Sequence, residues 1–524
     1  MYKTLESTVL IIIVAIIATN SLRANNIQIS DVKSLDELRG DGYNSVTFTV
    51  SWDHSWRMVS FGNWDGAWII GKAYTRSTGT WKHIRWHPDT LQHTVDGHGD
   101  NMTIRIAEGG VGALLYRATP GVGSIQADMK MWWYYNAAGF SPTDTVIVSI
   151  FAIEVVYIPS GEFMPGDGKS NRTLYCIGRD IKEGTGHFNN AEKINAATGY
   201  SYNGNAIPPE YPTGYDAFYI MKHEISQHAY VDFLNTLTYK QQAPHTSVSI
   251  ESAEGSFALI TAAYNTNFKQ YRNYIRVRVS GNLSLIPDAQ PAVYGNSVLG
   301  IDSWSREDNA GNVACNFLLW SDLLAYADWS GMRPFTELEF EKACRGPKIY
   351  SYADYAWGQA YVEYITKNAG KWFIHEDSIN ELAATKISAI AFLNDGPNAI
   401  ETGKEPWVMR VGAFAKDSSW RGQSGATYWG VMNMSDNVWE RCVNVHTPEG
   451  RSFVASNGNG EIGEKGPNNV PGWAGINLPA ATILRGFQTS NRQSLGFQAK
   501  SFNEDRHPAV GGRLAITITP ALAD

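Results

Sequence analysis

Cysteine is scarce in this chain. Only 4 occur in 524 residues, namely Cys176, Cys315, Cys344 and Cys442. So few cannot form a disulfide framework, and no two stand in the close spacing of a zinc site. One bridge remains open in an oxidising compartment; taken singly, each reads as a small buried apolar residue. Charge is scarce too, at 18% of residues with a formal net charge of −8. No basic patch offsets that balance, so nucleic acid is not an expected partner. Long apolar runs are also missing. The stretch Val9–Ala18 falls well short of the roughly 20 residues that span a bilayer. With Lys3 before it and Ser-Leu-Arg-Ala24 after it, this stretch reads as the centre of an export signal over residues 1–24, with an uncleaved anchor as the alternative. The mature chain is expected to lack a transmembrane span and to work outside the cytoplasm: extracellular, on the cell surface or periplasmic. Gly-x-Ser-x-Gly does not occur, so the usual serine-hydrolase signature is missing.

What is present in quantity is aromatic residues and glycine, with 18 Trp, 26 Tyr and 49 Gly. Such a composition suits strand-rich extracytoplasmic proteins, and the length calls for two or three domains. Residues 25–155 read as an antiparallel β-sandwich. Val46-Thr-Phe-Thr-Val-Ser-Trp52 alternates strictly, and the β-branched run Thr145–Val156 closes the unit. Trp64, Trp68, Trp81, Trp86, Trp132 and Trp133 either pack its core or offer a stacking platform for carbohydrate.

Residues 156–524 form the second unit, with insertions at about 165–214 and 240–312. The spacing predicts a strand at Phe218-Tyr-Ile-Met-Lys-His-Glu-Ile-Ser226 and a helix capped by Ser226. A strand is expected over Tyr274–Ser280, its arginines facing solvent. A helix is expected over Asp322–Trp329. A further one starts at Thr336, where Thr336 and Glu339 make a capping box and Glu337, Glu339 and Glu341 suit the positive end of the helix dipole.

The most informative stretch is Asn433-Met-Ser-Asp-Asn-Val-Trp-Glu440. Amide, carboxylate and carbonyl oxygens at alternating positions of a tight loop suit a hard cation such as calcium; a hydrogen-bonded loop without metal is the alternative. This stretch resembles the signature of the formylglycine-generating enzyme (sulfatase-modifying factor) family, which has a C-type-lectin-like fold. Other motifs follow the family's order: Val155-Val-Tyr-Ile-Pro-Ser-Gly-Glu-Phe-Met-Pro-Gly166, Gly331-Met-Arg-Pro-Phe-Thr336, Tyr355-Ala-Trp-Gly358, Ile483-Leu-Arg-Gly-Phe and Val510-Gly-Gly-Arg-Leu-Ala515. The chain is thus expected to be α+β and loop-rich, an N-terminal β-sandwich followed by a formylglycine-generating-enzyme-like domain over roughly 155–518. The resemblance implies a structural calcium ion on Asn433, the carbonyls of Asp436 and Val438, and Glu440, with Asn368 opening a second site. Asp436 stands where the family has glycine, which would strain the turn or add charge.

The family's chemistry rests on two cysteines near the C-terminus that hold copper(I). Here the corresponding interval, Gln488–Ala509, contains no sulfur, and copper(I) requires soft thiolates. The expectation is a non-catalytic binding or structural protein. Its partner is a protein or glycan outside the cytoplasm, or another copy of itself, and Asn491, Arg492, Gln493, Asn503 and Arg506 form the candidate ligand surface. The alternative is a metal-dependent oxidase of a thiol-containing substrate, drawing ligands from His223, His228, His375, His446 and His507.

Overall fold

The computed structural model describes residues 27–517 except 166–193, 299–309, 349–354, 416–420, 487–504, scattered short gaps, and 359–407 apart from two short strands. The proposed export signal lies outside the described residues. The chain is mixed α/β, rich in strands and poor in helices, and its N-terminal part carries a large antiparallel sheet. Among the described residues, no helix is long and apolar enough to cross a membrane.

Nine strands precede residue 160: β1 (Gln28–Ser34), β2 (Tyr43–Met58), β3 (Asn63–Thr75), β4 (Trp81–His83), β5 (Thr94–Asp96), β6 (Met102–Ile106), β7 (Ala113–Arg117), β8 (Gly121–Tyr134) and β9 (Val146–Ile158). The expected runs Val46–Trp52 and Thr145–Val156 fall in β2 and β9. Only Arg57 and Met58 of β2 pair with β3, while most of β2 pairs with β8. The sheet therefore folds at this hairpin. Val46, Phe48, Val50 and Trp52 of β2 share a buried cluster with Ala67, Ile69 and Ala73 of β3. Trp52, Trp68, Trp86 and Trp133 are all fully buried, which assigns these rings to packing rather than to a carbohydrate platform.

The remaining strands are β10 (Ser201–Tyr202), β11 (Asn205–Ala206), β12 (Phe218–Met221), β13 (Ile275–Val279), β14 (Val293–Asn296), β15 (Trp372–Phe373), β16 (Leu382–Ala383), β17 (Trp439–Val443), β18 (Thr482–Arg485), β19 (Val510–Gly511) and β20 (Ala515–Ile516). The two parts of the chain are joined by one sheet, whose order runs β20-β12-β9-β3-β2-β8-β5. Strand β9 pairs with β3 along Val146–Val156, and its end, Val155–Ile158, also pairs with β12. A strand read as the close of the first unit is therefore also the opening strand of the second.

Strand β3 explains how the parts dock. Its centre, Ala67-Trp-Ile-Ile-Gly-Lys-Ala73, is buried on both faces, as expected of a strand between two packed layers. Alternate residues serve different cores: Ala67 and Ile69 face the first, while Trp68 and Ile70 enter the larger second one. The Trp68 indole donates to the Ser330 carbonyl at 2.8 Å. Ser330 caps the helix Trp320–Trp329, and Gly331 ends that turn in the left-handed region at φ 66°, where a side chain would be strained.

Lys72, the charged residue of this layer, donates to the Trp329 carbonyl at 2.8 Å and the Gly460 carbonyl at 2.5 Å. Burial pushes its ammonium down to about 7, with Glu461 and Asp328 acting in the opposite sense. The unfolded lysine titrates near 10.4. Between pH 7 and about 10 the unfolded chain thus holds a proton that the folded one lacks, and this residue makes stability rise with pH. Denaturation midpoints taken across that window should rise up to about 1.4 kcal/mol per pH unit more steeply in the wild type than in Lys72→Met; equal slopes would refute this assignment.

The expected helices form. Ser226 caps Gln227–Asn235, and the Thr336/Glu339 box caps Glu337–Arg345. The strand expected at Tyr274–Ser280 is β13, but its arginines do not both face solvent. Arg276 is buried; it donates to the Ser297 and Gly255 carbonyls and lies over the Phe257 ring at 3.7 Å. An aromatic ring and two carbonyls replace water around it, which the strand's alternation alone does not reveal.

Candidate metal-binding loop and the charged core beneath it

The Asn433–Glu440 loop leads directly into β17, which pairs with β18 on one side and β19 on the other. Two asparagines take the left-handed backbone, Asn433 at φ 60° and Asn437 at φ 67°, a conformation that asparagine tolerates better than most residues. Asp436 is not among these positions, so the strain expected from its replacing a glycine does not arise. Asn433, Asp436, Val438 and Glu440 are all buried.

The side chains of Asn433, Asn437 and Glu440 are committed to protein partners. Asn433 accepts from the Gly412 N–H through Oδ1 at 2.9 Å and donates to Asp436 Oδ1 at 3.0 Å. Asn437 accepts from the Met409 N–H and donates to Glu224 Oε2 at 2.6 Å, while the Val438 N–H donates to Glu224 Oε1 at 3.1 Å. Both carboxylate oxygens of Glu440 accept from Arg513 Nε, at 2.8 and 2.9 Å, and Nη2 lies 2.7 Å from Oε1. Burial lifts Glu224 well above the usual carboxylate range, with Glu440 and Asp436 adding to the shift against the pull of Arg513. Burial lifts Glu440 as well, and Arg513 offsets part of the effect. Beneath the loop, Trp439 packs in the second core.

Beside this loop lies a buried ionic group that links the two parts of the chain. Lys222, directly after β12, reaches Asp65 of β3 at 3.2 Å and Glu154 of β9 at 2.8 Å. Asp65 also accepts from the Ser55 hydroxyl and the Trp56 N–H. His223 is buried among these charges, and desolvation followed by Lys222, Arg513 and Arg410 holds its pKa well below the ordinary value.

Among the described residues, the other proposed site residues are not brought together. Arg506 is not on the surface: it is buried, donating to Asp322 Oδ2 at 2.6 Å and to the Phe317 carbonyl at 2.9 Å, because Asp322 needs a cation inside the core. Asn368, Asn491, Arg492, Gln493 and Asn503 lie outside the described residues, as does His375. His228 sits on an exposed helix face near Asp232, and His446 lies 3.8 Å from Glu337. Burial and then Arg441 push His507 down to about 4. Among the described residues no group of three or more His, Cys, Asp or Glu is arranged to hold a metal ion.

Cys315, Cys344 and Cys442 are buried and unbridged. Cys344 and Cys442 share a core cluster with Phe340 and Trp357. Burial pushes both thiols well above the ordinary range; Glu341 and Glu440 push Cys344 further, and Arg485 pulls Cys442 back in part. A thiol whose pKa is raised by burial is a weak nucleophile.

The sequence reading missed Arg513, Lys222, Asp65 and Glu154 as members of this core. The signal was there in part. Glu154 interrupts the apolar run of β9, and Arg513 is set between two glycines and a leucine. A charge embedded in an apolar strand calls for a buried counter-charge, but the sequence does not say which one.

A family model described as the sulfatase-modifying factor enzyme 1-like domain matches residues 153–518. Its start falls inside β9, the shared strand. No curated protein matches the chain.

Proposed function

The chain belongs to the sulfatase-modifying factor enzyme 1-like family, and from that premise we propose that it is a non-catalytic binding or structural protein acting outside the cytoplasm. The observation that carries this reading is the lack of sulfur between Gln488 and Ala509, the interval in which the resemblance places the catalytic cysteine pair. Amide, carboxylate and guanidinium groups do not bind copper(I) as thiolates do. Cys344 and Cys442 lie outside that interval and are buried in a core cluster. On this reading the C-type-lectin-like scaffold is a rigid base that presents loops to a protein, a glycan or a second copy of the chain. The stretch Val9–Ala18 supports export.

The test is direct. Purified protein is supplied with copper(I), oxygen and a cysteine-containing sulfatase-motif peptide, and aldehyde is captured with a hydrazide probe. The expected yield equals that of the protein-free control. Repeated turnover above that control would overturn the proposal.

A further inference from the structure

The Asn433–Glu440 loop already has a cation. We propose that the Arg513 guanidinium is the resident counter-ion of this loop, and that the loop is held closed without calcium. The donors are the first argument. A guanidinium has five N–H groups, and those of Arg513 all have partners. Nε and Nη2 face the Glu440 carboxylate. Nη2 also donates to the Met432 carbonyl at 2.8 Å, and Nη1 donates to the carbonyls of Met221 and Lys222 at 3.2 and 3.3 Å. The guanidinium is thus clamped by the loop, by Met432 just before it and by the end of β12.

The acceptors are the second argument. Calcium takes about six to eight oxygens at close range. Of the side-chain oxygens that would serve, both on Glu440 face a guanidinium, and Asn433 Oδ1 faces the Gly412 N–H. An N–H directed at an oxygen takes one of its two lone pairs and brings a positive hydrogen to the side a metal would approach. A divalent ion at Glu440 would also lie against a fully buried positive charge, and burial strengthens that repulsion because water does not screen it. Calcium entry would require Arg513 to leave, taking its bonds from the carbonyls of Met221, Lys222 and Met432 at once. The planar, bidentate fork of arginine suits this position better than the point charge of lysine.

Crystals of the full-length protein grown with millimolar calcium chloride would test the proposal at the site itself. The expected anomalous difference map has no peak at the loop, and Arg513 remains on Glu440. A peak bound by the oxygens of Asn433 and Glu440, with Arg513 turned away, would overturn it. Terbium luminescence excited through tryptophan provides a solution test in which ions bound elsewhere cancel between wild type and variant. The expected signal is the same in the wild type and in Glu440→Gln. A tenfold loss of signal in Glu440→Gln would place an ion in the loop and overturn the proposal, and if that variant does not fold, the map decides.

Discussion

Lys222→Met will destabilise the whole protein by about 3–5 kcal/mol, the usual cost of removing one partner from a buried ionic group. The size of the effect follows from what is left behind. Asp65 and Glu154 would face each other with no cation between them, both out of reach of water. Burial already raises Glu154, and Lys222 opposes that rise, so in the variant one carboxyl must protonate or the layer must open. The cation also lies 4.8 Å from the Trp56 ring, a contact that methionine replaces only in part. Because Asp65 and Glu154 belong to β3 and β9 while Lys222 follows β12, the loss should appear as one cooperative shift of the denaturation midpoint for both parts of the chain. The double variant Lys222→Met/Glu154→Gln should recover part of the loss. Two separate transitions, or a midpoint unchanged within error, would refute the linkage described here.

Glu339→Ala should have a comparable effect, about 3–5 kcal/mol for the stranded buried charge with about 1 kcal/mol more for the lost cap. Glu339 does two things at once. It accepts from the Thr336 N–H at 2.9 Å, closing the capping box, and it holds Arg333 through two bonds of 2.9 and 2.6 Å. Arg333 in turn bonds the Thr517 hydroxyl and bridges to Ala515, so the helix start is tied to the last strand. Glu339→Gln keeps an oxygen for the Thr336 N–H and should lose less. The exposed pair Lys240–Glu464, at 2.9 Å, is the matching control. Solvent screens it, and Glu464→Gln should leave the midpoint nearly unchanged. Thermal or urea denaturation of the three variants side by side would rank them, and an equal loss in all three would remove the distinction between buried and exposed pairs.

Local order was legible in the sequence because it is written in local spacing. The alternation at Val46–Trp52, the β-branched run that became β9, the Ser226 cap and the Thr336/Glu339 box each lie within a few residues, and each appears where expected. The family was legible through short motifs in a fixed order. What eluded the reading depends on distance. Glu440 and Arg513 are 73 residues apart, and Lys222 and Asp65 are 157 apart, so no periodicity relates them. Arg506 resembled a surface residue because its neighbours Glu504 and Asp505 are polar, yet its partner Asp322 lies in a helix 184 residues earlier. Arg276 resembled the solvent side of a strand because its aromatic cover, Phe257, comes from another segment. The division near residue 155 followed composition, and composition does not reveal that one strand can serve two cores.

The place of β12 between β9 and β20 has a consequence in time. Tyr219 pairs with Tyr157, made before it, and with Ile516, made almost at the end of the chain. A ribosome adding roughly 5–20 residues per second needs about 15–60 s to get from Tyr219 to Ile516. During that interval the apolar Phe218–Met221 edge has no neighbour on its outer side. Exposed strand edges of this kind can pair with other chains, so this edge stays open to such pairing until Ala515 and Ile516 arrive.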